Sequence, residues 1–131
     1  MLMGVQMPAL AEAVVLGEKA GLPRDKVLQL ISESGYSSPT MSMRCGIMQR
    51  RQYDFAAFKL GLMRKDMMLV LAEAEKYGVP MPVSAAACAT LTAAGQQGLA
   101  DLDVAAVLPF QEHMAGMHDE PLPSSGATDH G

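Results

Sequence analysis

Tryptophan is absent from these 131 residues, and phenylalanine and tyrosine supply only three side chains each. A core must therefore be built from aliphatic residues and the 12 methionines. Valine, isoleucine and the aromatics are sparse against alanine, leucine and methionine. That balance disfavours a large sheet and favours helix. Basic excess is also missing: the net charge is −4 and the isoelectric point about 5.2. A nucleic-acid or anionic-membrane surface calls for a basic stripe, so neither partner is expected. The two cysteines, Cys45 and Cys88, form no CxxC, and read as reduced, partly buried thiols of a cytoplasmic protein. No apolar run is long enough to span a membrane. The first 20 residues lack the basic start of a secretory signal, and Gln6, Pro8 and Glu12 interrupt their apolar character. No glycine-rich GxGxxG follows a strand anywhere, so no dinucleotide-binding loop is present in these residues.

What is present is helical periodicity. From position 58 to 82 the chain reads FKLGLMRKDMMLVLAEAEKYGVPMP. Leu60, Met63, Met67, Val70, Ala74 and Tyr77 fall at spacings of three and four, one face of a helix. Leu62, Met68, Leu69, Leu71 and Ala72 fill most of the remainder, which predicts a helix buried on several sides. Gly78 suits a left-handed stop, with Pro80 beyond it. Arg64, Lys65 and Asp66 interrupt the run. They read either as a solvated entry turn or as a lysine held at a cleft edge to meet an anionic or polar ligand. Arg64 lies about 100° around the helix from Lys65 and serves as its internal control.

The rest follows the same logic. Residues 1–20 predict a central first helix ended by Gly21. Pro23 opens a second over 24–33, and a third covers 40–49 after the Ser34-Gly35-Tyr36-Ser37-Ser38-Pro39 loop. An alanine-rich helix spans 83–97 and stops at Gly98. Thr90 and Thr92 on it read as facing solvent or bonding back to the turn before them. Asp103 is the expected N-cap of a last helix, which Pro109 shortens or kinks. Ser37 and Ser38 read as loop hydroxyls that cap a helix or touch substrate. Glu112, His113, His118, Asp119 and His130 lack metal-site spacing, so a solvated tail is expected there and no metal.

Phe58-x-Leu60-x-Leu62-Met63-x-Lys65-Asp66, with Tyr77-Gly78-Val79-Pro80-Met81-Pro82, resembles the C-terminal domain of the 3-hydroxyisobutyrate dehydrogenase family. These are β-hydroxyacid dehydrogenases, the tartronate semialdehyde reductases among them. Ala11-Glu12-Ala13, Glu18-Lys19-Ala20-Gly21-Leu22 and Gly98-Leu99-x-Asp101-x-Asp103-Val104 extend the resemblance over roughly residues 9–112. The family's Phe-x-Pro-x-Phe is here Phe55-Ala56-Ala57-Phe58, one residue shorter and without proline.

The resemblance implies an all-α fold: a single helical domain of five or more helices over 1–115, similar to the C-terminal domain of 6-phosphogluconate dehydrogenase-like enzymes. A flexible tail over 116–131 would follow. It implies NAD or NADP as cofactor of the intact enzyme, none bound by this chain alone, a small hydroxyacid substrate and a homo-oligomer. It places Lys65 beside the nicotinamide end of the cofactor, Asp66 next to it as a structural neighbour, and Phe58 in the pocket lining. The family's acid/base lysine belongs to a Gly-x-x-Gly-x-Gly-x-x-x-Lys-x-x-x-Asn pattern with no match here. The resemblance puts that lysine and a Rossmann domain upstream of Met1, so no catalytic residue is expected in this chain. The competing expectation is a free-standing helical interaction module that kept the fold without the chemistry.

Overall fold

A computed structural model describes residues 1–117 and 121–126. Within them the chain folds into six α-helices: α1 (Leu2–Lys19), α2 (Arg24–Ser32), α3 (Pro39–Arg50), α4 (Leu60–Lys76), α5 (Pro82–Ala94) and α6 (Val107–Met114). A π-type turn, Gly95–Leu99, follows α5, and a short 3-10 turn, Val104–Ala106, leads into α6. The described residues contain no strand, only one antiparallel bridge between Lys59 and Asp103.

Helix α1 is the axis of the domain, as its apolar breadth predicts. It packs against each of the other five helices. Met7, Leu10, Ala11, Val14 and Val15 are buried on it, at the three- and four-residue spacing that lines one helical face. Gly4 brings α1 and α4 close together. A Cβ there would stand 2.5 Å from the Met67 sulfur and 3.1 Å from that of Met63. The expected stops are in place: Gly21 (φ 94°) follows α1 and Gly78 (φ 67°) follows α4, both left-handed. Cys45 and Cys88 are free, buried thiols, and burial pushes the Cys45 thiol above its ordinary value.

Helix α4 differs from expectation in one respect. Only Leu60, Met63 and Met67 are buried on it. Leu62, Met68 and Leu69 are exposed, as is Tyr77. The helix is apolar around most of its circumference, but this chain covers one side of it. Leu2 and Leu16 of α1 are likewise exposed, at 70% and 72%. The helices therefore form a core with apolar faces left over, a pattern that marks interaction surfaces.

Candidate functional site

The segment between α3 and α4 positions the candidate residues, and Asp103 holds it. Asp103 is fully buried and accepts from two directions at once. On one side the Arg44 guanidinium, itself only 3% exposed, donates Nε–H to Oδ1 at 3.3 Å and Nη2–H to Oδ2 at 3.5 Å. On the other, the backbone N–H groups of Ala57 and Phe58 donate to Oδ2 at 3.0 and 3.2 Å. The Ala105 N–H donates to Oδ1 at 2.9 Å, the cap expected from sequence. Backbone bonds reinforce the junction: Asp103 N–H to Tyr53 carbonyl and Val104 N–H to Phe58 carbonyl, each 2.9 Å. A charge so enclosed is stable only with its donors in place.

The same chain turn closes the start of α4. Lys59 offers no side-chain cap. Instead the Leu60 N–H donates to the Leu102 carbonyl at 2.8 Å and the Gly61 N–H to the Ala100 carbonyl at 2.9 Å. Two of the helix's orphan donors are thereby satisfied from the 100–102 segment.

Lys65 and Asp66 stand one turn further along and are both exposed. Lys65 is about 200° around the helix from Met63, on the face opposite the core. Neither side chain takes part in an ion pair or hydrogen bond among the described residues. Phe58 is half-buried against the core. The three residues share one anchored segment, with Phe58 packed against the core and Lys65 and Asp66 exposed.

Arg64 proves not to be a suitable control for Lys65. Its Nε–H donates to the Thr92 hydroxyl on α5 at 3.0 Å, which also corrects the expectation for Thr92. Together with Gly61, Gly95, Gln96 and Ala100 this pair lines a cleft of about 320 Å³ by the α4–α5 crossing. Thr90 does bond back, to the Ala86 carbonyl at 3.3 Å. Ser38 caps α3 by accepting from the Met41 N–H at 3.1 Å, and Ser37 bonds to Ser42 at 2.7 Å.

A second buried charge was not legible in the sequence. Glu112 on α6, expected with a solvated tail, is fully buried. Arg51, which ends α3 in a left-handed conformation (φ 52°), donates Nη2–H to both of its carboxylate oxygens at 2.9 and 3.1 Å. Burial lowers the Arg51 pKa, but the hydrogen bond and charge of Glu112, with Tyr53 and Glu18, outweigh it and leave the guanidinium raised. Of the other residues weighed for a metal, His118, Asp119 and His130 lie outside the described residues. No group of three or more His, Cys, Asp or Glu among the described residues is placed to hold one. No described helix is long and apolar enough to cross a membrane.

Tyr53, beside this pair, is 3% exposed, and its hydroxyl finds no partner. Burial is the main reason its pKa is pushed up to about 12; Arg51 and Arg24 lower it, Glu112 and Glu18 raise it. A folded pKa above the ordinary tyrosine value of 10.0 means that the native state holds the proton longer than the unfolded chain. The stabilisation is fully present below the unfolded pKa and is lost as pH rises to about 12. Chemical denaturation across that alkaline window should lose on the order of 2–3 kcal/mol that Tyr53→Phe retains. An equal loss in both proteins would contradict this.

Solved structures share the arrangement. A 3-hydroxyisobutyrate dehydrogenase from Salmonella typhimurium superposes with a TM-score of 0.77 at 27% identity, over 83% of this chain and 38% of that one. The Mycobacterium tuberculosis 3-hydroxyisobutyrate dehydrogenase with L-serine gives 0.72 at 26% identity, over 84% of this chain and 40% of that one. The fold is thus the helical domain of a hydroxyacid dehydrogenase. Residues 1–110 match the family described as NAD-binding of NADP-dependent 3-hydroxyisobutyrate dehydrogenase, and the chain belongs to that family.

Among curated relatives, glyoxylate/succinic semialdehyde reductase 1 of Arabidopsis thaliana is 37% identical over 108 residues, 82% of this chain and 37% of the relative. The 2-(hydroxymethyl)glutarate dehydrogenase of Eubacterium barkeri is 35% identical over 120 residues, 89% of this chain and 39% of the relative. The chain therefore spans under two-fifths of the length of these relatives.

Proposed function

We propose that this chain is the substrate-side helical domain of an NAD(P)-dependent β-hydroxyacid dehydrogenase and that Lys65 serves the nicotinamide side of its site. The observation that carries this is the family match across residues 1–110, together with a lysine displayed on the open face of α4 with no partner among the described residues. The nicotinamide, when bound, supplies the hydride donor or acceptor. Lys65 contributes a mobile ammonium for charge-assisted hydrogen bonds to a ribose hydroxyl or a substrate oxygen. Phe58 offers an apolar edge, and its backbone is fixed by Asp103. Asp66 flanks the lysine as a structural neighbour. The relatives are named for small carboxylic acids bearing an alcohol or aldehyde, which supports that substrate class here. Those names also disfavour a module without chemistry.

The exposed faces of α1 and α4 support two covering partners, a dinucleotide-binding domain and a second copy of the chain. Apolar surface left in water costs about 25 cal/mol per Å². Purified 1–131 is expected to show no turnover on 3-hydroxyisobutyrate or tartronate semialdehyde. It should sediment as a dimer or larger, and a fusion that supplies a dinucleotide-binding domain should gain activity. Turnover by 1–131 alone would overturn the division of labour. A monodisperse monomer at micromolar concentration would count against the self-association.

A further inference from the structure

Away from the α4 segment, a cavity of about 420 Å³ opens between the start of α2, the end of α3 and α6. Its polar lining is Arg24, Arg51, Tyr53, Glu112 and His113. The remainder is hydrocarbon: Pro109 from α6, with Pro121, Leu122 and Pro123 from the chain beyond it. Two groups in it lack partners. The Tyr53 hydroxyl and the Arg24 Nε are both buried without a hydrogen bond. Such groups are uncommon, because each forfeits its hydration on folding.

We propose that this cavity binds a small carboxylate-bearing molecule, with Arg24 Nε–H and the Tyr53 hydroxyl donating to its two oxygens. Guanidinium groups on both sides exclude a cation. The volume is far more than the roughly 30 Å³ that one water occupies, and the proline and leucine wall suits a hydrocarbon body rather than solvent. The Glu112 carboxylate already engages Arg51, and the charge of Glu18 reaches both Arg51 and Tyr53. Arg51 is thereby neutralised, and Arg24, whose carboxylate partner Asp25 is exposed and 3.9 Å away, offers a single charge that suits a monoanion better than a dianion such as phosphate. The site shares no residue with Phe58, Lys65 or Asp66, so it stands or falls separately from the cofactor-side reading.

Benzoate, its neutral isostere benzamide, and inorganic phosphate are the probes, titrated into the protein by calorimetry and by NMR of the tyrosine rings. Benzoate is expected to bind in the millimolar range or tighter and to shift the Tyr53 ring resonances. Benzamide and phosphate should bind at least tenfold more weakly. Tyr53→Phe removes only an unpartnered hydroxyl and should fold; it and Arg24→Gln should each weaken benzoate roughly tenfold, the loss of one charge-assisted hydrogen bond. Absence of benzoate binding overturns the proposal and leaves the cavity to solvent. Equal binding of benzamide or phosphate, or undiminished binding by both variants, overturns it as well.

Discussion

Asp103→Ala should destabilise the domain by about 4 kcal/mol, the largest effect expected of any single substitution here. The mutation removes the acceptor for five donor hydrogens in one step. Arg44 then stays buried as an uncompensated charge, at a typical cost of about 3–5 kcal/mol. The Ala57, Phe58 and Ala105 N–H groups lose their partner too, and any that remain buried add about 1–3 kcal/mol each. Relaxation and water entry will recover part of that sum. Against a total stability of about 5–15 kcal/mol, the loss is a large fraction. At this chain length it corresponds to a fall in Tm of roughly 10–20 °C.

Two companions make the reasoning testable. Arg44→Met should cost less than Asp103→Ala, because Asp103 would keep its three backbone donors. Asp101→Ala should cost under about 1 kcal/mol, since Asp101 pairs with Lys59 only at the surface, at 3.5 Å. Thermal and urea unfolding of the three variants would read the order directly. An Asp103→Ala protein as stable as Asp101→Ala would show that the buried cluster does not hold this turn.

The features legible in the sequence are those set by near neighbours. Helix α1, the stop at Gly78 and the cap at Asp103 each follow from a pattern a few residues long. The same pattern failed on the outer side of α4. Periodicity reports that Leu62, Met68 and Leu69 are apolar, but not whether this chain or another surface covers them. The buried polar clusters were hidden for a different reason. Arg44 meets Asp103 across 59 residues and Arg51 meets Glu112 across 61. No local spacing announces such pairs; only the packed helices bring them together. Arg64 misled in the opposite sense, because its partner Thr92 sits 28 residues away on α5. Lys65 came from resemblance to a family motif, and among the described residues it is exposed on α4 without a partner.

Lys65→Ala carries the other large effect, on activity and not on stability. An exposed lysine with no partner within the fold should cost under about 0.5 kcal/mol of stability when truncated. If its ammonium instead serves cofactor or substrate, truncation removes a charge-assisted hydrogen bond of about 1.5–3 kcal/mol. That is roughly a ten- to hundredfold loss in kcat/KM. Arg64 is unsuitable as a control, because Arg64→Ala also breaks its bond to Thr92. Lys76, on the same helix, is 73% exposed along its side chain and, among the described residues, pairs with Glu73, one turn away.

The measurement that bears most directly on the domain's role is therefore steady-state kinetics of Lys65→Ala beside Lys76→Ala, in a protein that also carries the dinucleotide-binding domain. Melting curves taken on the same samples separate folding from activity. The expected result is native Tm for both variants, native kcat/KM for Lys76→Ala, and a ten- to hundredfold loss confined to Lys65→Ala. Full activity in both variants would contradict the account and leave Lys65 a solvated side chain on a helix turn.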